Sequence, residues 1–535
     1  MKSPDVVVIG GGPAGTTAAS MSARAGLSVV LLERERFPRD HIGESLLPAS
    51  MPILEELGVD SKMSQAGFLP KYGATMVWGK STAPWTWKFS ETNLSHPHAY
   101  QVIRGEFDQI LLERSKELGV DVREGCNVRE IIFDAERAVG VRYDKSEGDE
   151  VTLPSSFVID ASGQSALLAH HRNMRKWDED FRNLAIYTYF RGCKGLAEPD
   201  QNNIFIESFP YGWMWFIPLK GELASVGAVV DSEKAVKMLN NMSEQDFFDK
   251  QLSTAPYTYD LVKGADQVVK TTIVKDWSYE VSQMAGPGWA TAGDAACFID
   301  PLFSSGVHIA LMSGVLASAY AVTSLKCPDM ESPTAVVYED MIRREYCLFK
   351  ELARLFYSSN RSVDSYYWET RKIVGDTTGR DSRTAFIRAV SGQSVRGYER
   401  AVLERGDLDD SIVEGLKAVS EDFEMRRRLY ETVSESILGL IPVLDPETRV
   451  EKKPVLSEGR FEWGTMLYSP KRVEGTVCSR FVELLINSID GETNVSQIIS
   501  ILHEQTDDGS YDSLTGYVTR TLRILFVEGA LCCFK

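Results

Sequence analysis

The residues with the plainest chemistry lie near the start of the chain. Gly10-x-Gly12-x-x-Gly15 follows an apolar run and opens an alanine-rich one, and Glu33 stands 18 residues after the last glycine. Three glycines so spaced suit a pyrophosphate. Gly10 permits a tight turn, Gly12 lets the backbone approach the phosphates, and Gly15 allows a helix to pack closely on a strand. The phosphates would meet the positive end of the helix dipole, and the Glu33 carboxylate is placed to accept hydrogen bonds from a ribose. These residues leave the second half of the dinucleotide, flavin or nicotinamide, open. A second conspicuous stretch is "YGWMWFIPLK", residues 211–220. Its alternating large apolar side chains, closed by Pro218, predict a half-buried β-strand of ordinary core type. Lys71, before an alternating segment and after a proline-marked loop, reads on its own as a solvated lysine at a strand end.

The elements that must position these groups are legible in outline. "DVVVIGGGPAGTTAASMSARAGLSVVLLER" is strand, helix, strand. "QVIRGEFDQILLERSKELGV" places Arg104 just before an amphipathic helix. "FVIDASGQSALL" is a strand running into Asp160. "GWATAGDAACFIDPLFSSGVHIALMSGVLAS" is a strand, an acid at Asp294, a proline loop and a long small-residue helix from Gly306. The fold class is therefore α/β. Residues 1–325 are expected to form a Rossmann-like dinucleotide-binding domain interleaved with a mixed β-sheet from about 72–100 and 195–275, and Trp78, Trp85 and Trp87 serve there as core or as pocket wall. Residues 326–455 read as helical and 456–535 as a small terminal module of helix, turn, helix, a further helix and a strand, with a linker near 442–460.

Composition narrows the function. A net charge of −18 over 535 residues argues against nucleic acid as the main partner. No apolar run is expected to approach the roughly 20 residues of a membrane span. Eight scattered cysteines without metal-type pairs, and an N-terminus that enters a strand directly, give a reducing, cytoplasmic expectation. The adjacent Cys532 and Cys533 read as packing residues, and His308 as a satisfied helix histidine.

Taken together, "GDA" at 293–295, Arg104 and the loop-to-helix step at Gly306 resemble the FAD-dependent monooxygenase superfamily. Within it, Trp213-Met-Trp215-Phe-Ile217-Pro218 matches the W-x-W-x-I-P signature of the flavin-dependent halogenases, and Lys71 stands where they carry a catalytic lysine. The spacing of "HIGESLLP" and Lys71 is closer to the branch acting on phenols and pyrroles.

This resemblance implies FAD, held by Gly10, Gly12, Pro13, Ala14, Gly15, Glu33, Arg104, Val128, Asp294 and Gly306, with Asp294 against the ribityl chain. Some relatives attach flavin through an aspartate, for which Asp294 and Asp300 are available. It implies that Trp213, Trp215 and Pro218 stand beside the flavin. Backbone amides of Ser305 and Gly306 would hold chloride or bromide as co-substrate, the alternative being a routine helix cap by Ser304 or Ser305. It further implies reduced FAD from a separate NAD(P)H-dependent reductase, and hypohalous acid directed by Lys71 to an electron-rich carbon. The substrate would be a small molecule or one bound to a carrier protein, in natural-product biosynthesis. No equivalent of the glutamate that assists the lysine in the tryptophan branch is apparent. A hydroxylase, or a geranylgeranyl-reductase-like enzyme, is the alternative on the same scaffold. The terminal module resembles winged-helix or PqqD-like modules.

Overall fold

The computed structural model describes residues 3–78, 83–145, 148–209, 212–358, 382–392, 421–505 and 511–535. Val6–Ile9 is four β-branched residues, all buried, paired in parallel with Val29–Glu33 on one side and Phe157–Asp160 on the other. Such a run needs both faces covered, the condition of a parallel sheet between helices. The sheet continues through Asp121–Glu124 at one edge and through Trp289–Thr291 and Ala285–Gly286 at the other. Across it lies Pro13–Arg24 against the long helix Gly306–Lys326. Small residues make that approach possible, since a Cβ on Gly314 would stand 2.6 Å from the Ala14 carbonyl oxygen.

The helix Gly306–Lys326 corrects one expectation. At 21 residues it is long and apolar enough to cross a membrane, yet 89% of its apolar window is buried inside the protein. It is a core helix, apolar all round because it is covered all round.

The second layer is a nine-stranded sheet. It takes in Gly73–Val77, Trp85–Lys88, Arg175–Arg191, Ile204–Phe209, Gly212–Leu219, Leu223–Asp231, Asp266–Gln267, Thr272–Val281 and Cys297–Phe298. It thus reaches beyond the expected 72–100 and 195–275. Within the latter range, Ser232–Leu239, Glu244–Ser253 and Pro256–Val262 are helices, not strands. The signals were capping ones: the Asp231 and Ser243 side chains accept hydrogen bonds from Lys234 N and Asp246 N, and Pro256 occupies a first-turn position. These helices bring Phe247, Phe248 and Leu252 onto Phe205, Met214, Phe216 and Val226 of the sheet.

Gly212–Leu219 is therefore buried on both faces, where alternation suggested one. It also runs through Pro218, which pairs with Ala224 on one side, while the pairing with Ile204–Phe209 on the other side stops at Phe216. A proline there removes no donor that the neighbouring strand needs.

The described residues fall into two units, 3–358 with 382–392 and 458–460, and 421–457 with 461–535. The second unit begins earlier than the expected 456 and takes in the helix Glu421–Val433. The linker expected near 442–460 is folded. Pro442–Leu444 pairs with the terminal strand Leu531–Phe534, and Arg449–Ser457 turns at Glu458 and Gly459 (φ 44° and 79°) into Arg460–Ser469. Three prolines and a charge run concealed a hairpin whose turn uses left-handed backbone. The helices Arg480–Asn487, Val495–Gln505 and Tyr511–Val527 follow. All eight cysteines are free thiols.

Candidate active site

The dinucleotide loop has the geometry its glycines require. Gly10 has φ 103°, and a Cβ there would come within 2.3 Å of the Ala161 carbonyl oxygen. A Cβ on Gly15 would stand 1.9 Å from the Gly10 carbonyl oxygen. Gly12, by contrast, faces space, its nearest neighbour being Arg39 Nη2 at 3.5 Å. Pro13 opens the helix, whose N-terminus carries no side-chain cap. An uncapped helix end beside an open glycine, with an arginine over it, suits a diphosphate. Glu33 Oε2 accepts from Gly11 N at 2.6 Å, and Oε1 from Glu35 N at 2.8 Å, so the carboxylate braces the loop. Val128 lies on Cys126–Asp134, in the separate three-stranded sheet that packs on Val29–Glu33.

The "GDA" turn meets this loop directly. Gly293 has φ 60°, and a Cβ on it would stand 2.9 Å from Ala14 Cβ. Burial raises the Asp294 carboxyl to about 6, an effect that the positive charge of Arg104 partly offsets. Arg104 is the first residue of its helix and is fully engaged. Its Nε and Nη2 donate to both oxygens of Asp108 at 2.8 and 3.0 Å, and Nη1 donates to the Ile42 carbonyl at 2.6 Å. Its charge acts through space on Asp294.

The turn Pro301–Phe303 leads into Ser304, which is left-handed (φ 58°), and then into Ser305 and Gly306 at the helix N-terminus. Neither serine caps that helix. The Ser305 hydroxyl is buried without a partner, and a Cβ built on Gly306 meets nothing within 4 Å. Left-handed backbone followed by uncapped helix amides is the form of an anion nest.

Lys71 overturns the solvated reading. It is only 2% exposed, at the end of Leu69–Lys71. Nζ donates to the Leu46 carbonyl at 2.9 Å and lies 5.4 Å from the centre of the Phe89 ring. Burial lowers its pKa to about 7. It opens on a cavity otherwise walled by apolar groups including Leu47, Trp87, Ile204 and Val390, and bounded by Leu302, Phe303 and Ser304. The cavity therefore joins the lysine to the turn that carries the uncapped amides. Sequence spacing could not foresee this: Ile204 reaches the wall because Ile204–Phe209 pairs in parallel with Gly73–Val77, which follows Lys71.

Trp213 and Trp215 are buried, at 1% and 4% exposure, and neither lines that cavity. Trp213 Nε1 donates to Tyr357 Oη at 2.6 Å, and Tyr357 Oη donates to Asp300 Oδ2 at 2.6 Å. Asn183 Nδ2 donates to the same oxygen at 3.0 Å, while Oδ1 accepts from Leu302 N at 3.0 Å. Asp300 thus ties the tryptophan to the turn before Ser304. Burial raises its carboxyl to about 6. Both of its oxygens are occupied by protein donors, which argues against the flavin attachment considered for it. Trp215 Nε1 donates to Ser225 Oγ at 3.1 Å, and its ring fills the space left by Gly227, where a Cβ would lie 2.3 Å away. His308, expected as a satisfied helix histidine, has Nε2 3.2 Å from Glu345 Oε1.

Comparison with known proteins places this geometry. The family profile described as tryptophan halogenase matches residues 5–98 and 91–407. A tryptophan 2-halogenase of Chondromyces crocatus is 34% identical over 400 residues, 73% of this chain and 76% of that protein. A 1H-pyrrole-2-carbonyl-[peptidyl-carrier protein] chlorinase of Pseudomonas fluorescens is 33% identical over 392 residues, 69% of this chain and 86% of that protein. The solved structure of CmlS, a flavin-dependent halogenase, superposes with a TM-score of 0.71 at 28% identity and covers 99% of this chain and 96% of its own.

Proposed function

The chain belongs to the tryptophan halogenase family of flavin-dependent halogenases, enzymes that use FAD and halide, and from that premise we propose how its residues divide the work. Gly10, Gly12 and Gly15, with the uncapped end of Pro13–Arg24, hold the pyrophosphate of FAD, and Asp294 faces the ribityl chain. When bound in reduced form, FAD and dioxygen supply the oxidising equivalent that turns chloride or bromide into hypohalous acid. The amides of Ser305 and Gly306 hold the halide. Lys71, in the lining of the adjoining cavity, donates a hydrogen bond to the hypohalous oxygen and leaves the halogen electron-poor. An electron-rich ring carbon forms the carbon–halogen bond, the oxygen–halogen bond breaks, and the ring proton leaves with the oxygen as water.

The observation that carries this reading is the shared cavity, with Lys71 on one wall and Leu302, Phe303 and Ser304 on another. A short shared path matters because free hypohalous acid would oxidise methionine and cysteine indiscriminately. Burial also gives Lys71 a use that a surface lysine lacks. With its pKa near 7, the ammonium donor and the neutral amine, able to carry halogen as a haloamine, are both populated at neutral pH. The substrate is an activated ring of the phenol or pyrrole kind, free or carrier-bound, and a separate reductase supplies reduced FAD.

The test needs no substrate. Reduced FAD and protein are mixed anaerobically with oxygenated buffer, with and without chloride or bromide, and flavin reoxidation and trapped oxidised halogen are followed. Halide should speed reoxidation and yield oxidised halogen in wild type. Lys71→Ala should keep that halide response and lose transfer to aromatic acceptors. Reoxidation indifferent to both halides would overturn the assignment of Ser305 and Gly306.

A further inference from the structure

The lining of the Lys71 cavity contains a polar group that the proposed chemistry does not use. Trp87 lies on Trp85–Lys88, is 3% exposed and faces the lysine cavity. Its ring is fixed by Trp85 and Phe386, with ring centres 5.1 Å away in each case and Phe386 meeting it edge-on at 80°. Its indole N–H has no hydrogen-bond partner among the described residues.

Buried tryptophan N–H groups ordinarily find an acceptor, and an orphaned one in a native fold calls for an explanation. Three other buried tryptophans follow that rule: Trp213, Trp215 and Trp78 donate to Tyr357, Ser225 and the Phe356 carbonyl. Trp87 departs from it at the cavity that Lys71 enters. The remaining wall is aliphatic and aromatic apart from Ser304, with no carboxylate and no arginine. A free α-amino acid would bring an ammonium and a carboxylate into that space with nothing to pair them. A neutral ring bearing one acceptor oxygen leaves nothing unpaired, and it enters as the walls part, since the space as it stands takes about one water.

We propose that the Trp87 indole N–H is the hydrogen-bond donor that holds an acceptor oxygen of a neutral aromatic substrate, a phenolic oxygen or a ring-borne carbonyl, beside Lys71. The assignment rests on the halogenase reading above and adds to it the residue that selects and orients the ring. Orientation follows from geometry, since a ring tethered by its oxygen at Trp87 presents a fixed carbon to the lysine.

The FAD-loaded enzyme labelled with 15N-tryptophan is titrated with 4-methylphenol and, separately, with 1,4-dimethylbenzene, which replaces the hydroxyl by a methyl group. One indole N–H resonance, the one missing in Trp87→Phe, should move downfield with 4-methylphenol and stay in place with 1,4-dimethylbenzene. By calorimetry, Trp87→Phe should weaken 4-methylphenol about 3- to 10-fold and leave 1,4-dimethylbenzene unchanged. If Trp87→Phe does not fold, Trp87→Leu supplies both the missing resonance and the affinity comparison. A resonance unmoved up to the solubility limit of the phenol, moved equally by both probes, or moved without any loss of phenol affinity in Trp87→Phe, overturns the proposal. Halide-dependent oxidant with no such shift would remove this donor and leave the halogenase reading standing. A shift without that oxidant would do the reverse.

Discussion

Two cations are buried within reach of one short segment, and their surroundings differ in a single respect. Arg104 donates to the Ile42 carbonyl and Lys71 to that of Leu46. Arg104 also holds both oxygens of Asp108, itself 0% exposed, with Arg39 Nη2 a further 3.5 Å from that carboxylate. Lys71 has no carboxylate partner among the described residues. A bidentate guanidinium pair stays charged and fixes structure. A lone buried amine falls in pKa until both of its forms are present near neutrality. The comparison teaches that burial becomes chemistry only where the counter-charge is left out.

The largest expected effect breaks the comparison on the lysine side. Lys71→Met, which keeps the volume and removes the amine, should lower halogen transfer to an aromatic acceptor about 10²- to 10⁴-fold. Flavin reoxidation should keep its response to halide. On the arginine side, Asp108→Ala leaves Arg104 buried without its counter-charge and should destabilise the fold by about 3–5 kcal/mol, read from denaturant midpoints. Lys71→Met should show no comparable loss. If the two variants cost the same stability, the distinction between a structural and a titrating cation fails.

A smaller effect sharpens the contrast through pH. Below about 7, Lys71 is charged in both folded and unfolded chains, and folding must bury that charge. Between about 7 and its ordinary 10.5, the unfolded chain holds a proton that the folded one has released, so raising the pH favours the folded state. Wild type should therefore gain on Lys71→Met by about 1.4 kcal/mol per pH unit across that window. Melting curves of the two proteins from pH 6.5 to 9.5 measure the difference, and a constant gap would mean that Lys71 is not desolvated.

How much of this was legible beforehand depends on how local each feature is. Gly10, Gly12, Gly15 and Glu33 lie within one strand–helix–strand unit, which the structure forms with Gly10 and Gly15 in close backbone approaches. Lys71 could be singled out only by resemblance, because its burial comes from elsewhere: Phe89 covers it, and Leu46 and Val390 approach from remote segments. The unpaired Trp87 was invisible for the same reason, since an orphaned donor is defined by what fails to arrive. Errors in the fold were of another kind. The helices in 232–262 carry Asp231, Ser243 and Pro256 at their starts, and the turn at Glu458 and Gly459 closes a hairpin across proline-rich sequence. Those signals were present and were outweighed by aromatic content and proline count.

The smallest expected effect concerns the tryptophan signature and its link to the turn before Ser304. Trp213, Tyr357 and Asp300 form a chain of donors ending on a carboxylate that also receives Leu302 N. Tyr357→Phe removes one hydroxyl from the middle, leaving Trp213 Nε1 without its acceptor and Asp300 with Asn183 and Leu302 alone. The stability cost should be about 1–2 kcal/mol, the price of an orphaned buried donor. With less to hold it, Asp300 fixes Pro301–Phe303 more loosely, and the amides of Ser305 and Gly306 are less well aligned. The expected signature is a halide concentration for half-maximal reoxidation raised a few-fold, with an unchanged rate at saturating halide. A fall in the saturating rate would instead place Tyr357 in the chemistry, and no change in either quantity would show that the signature packs the sheet without reaching the halide.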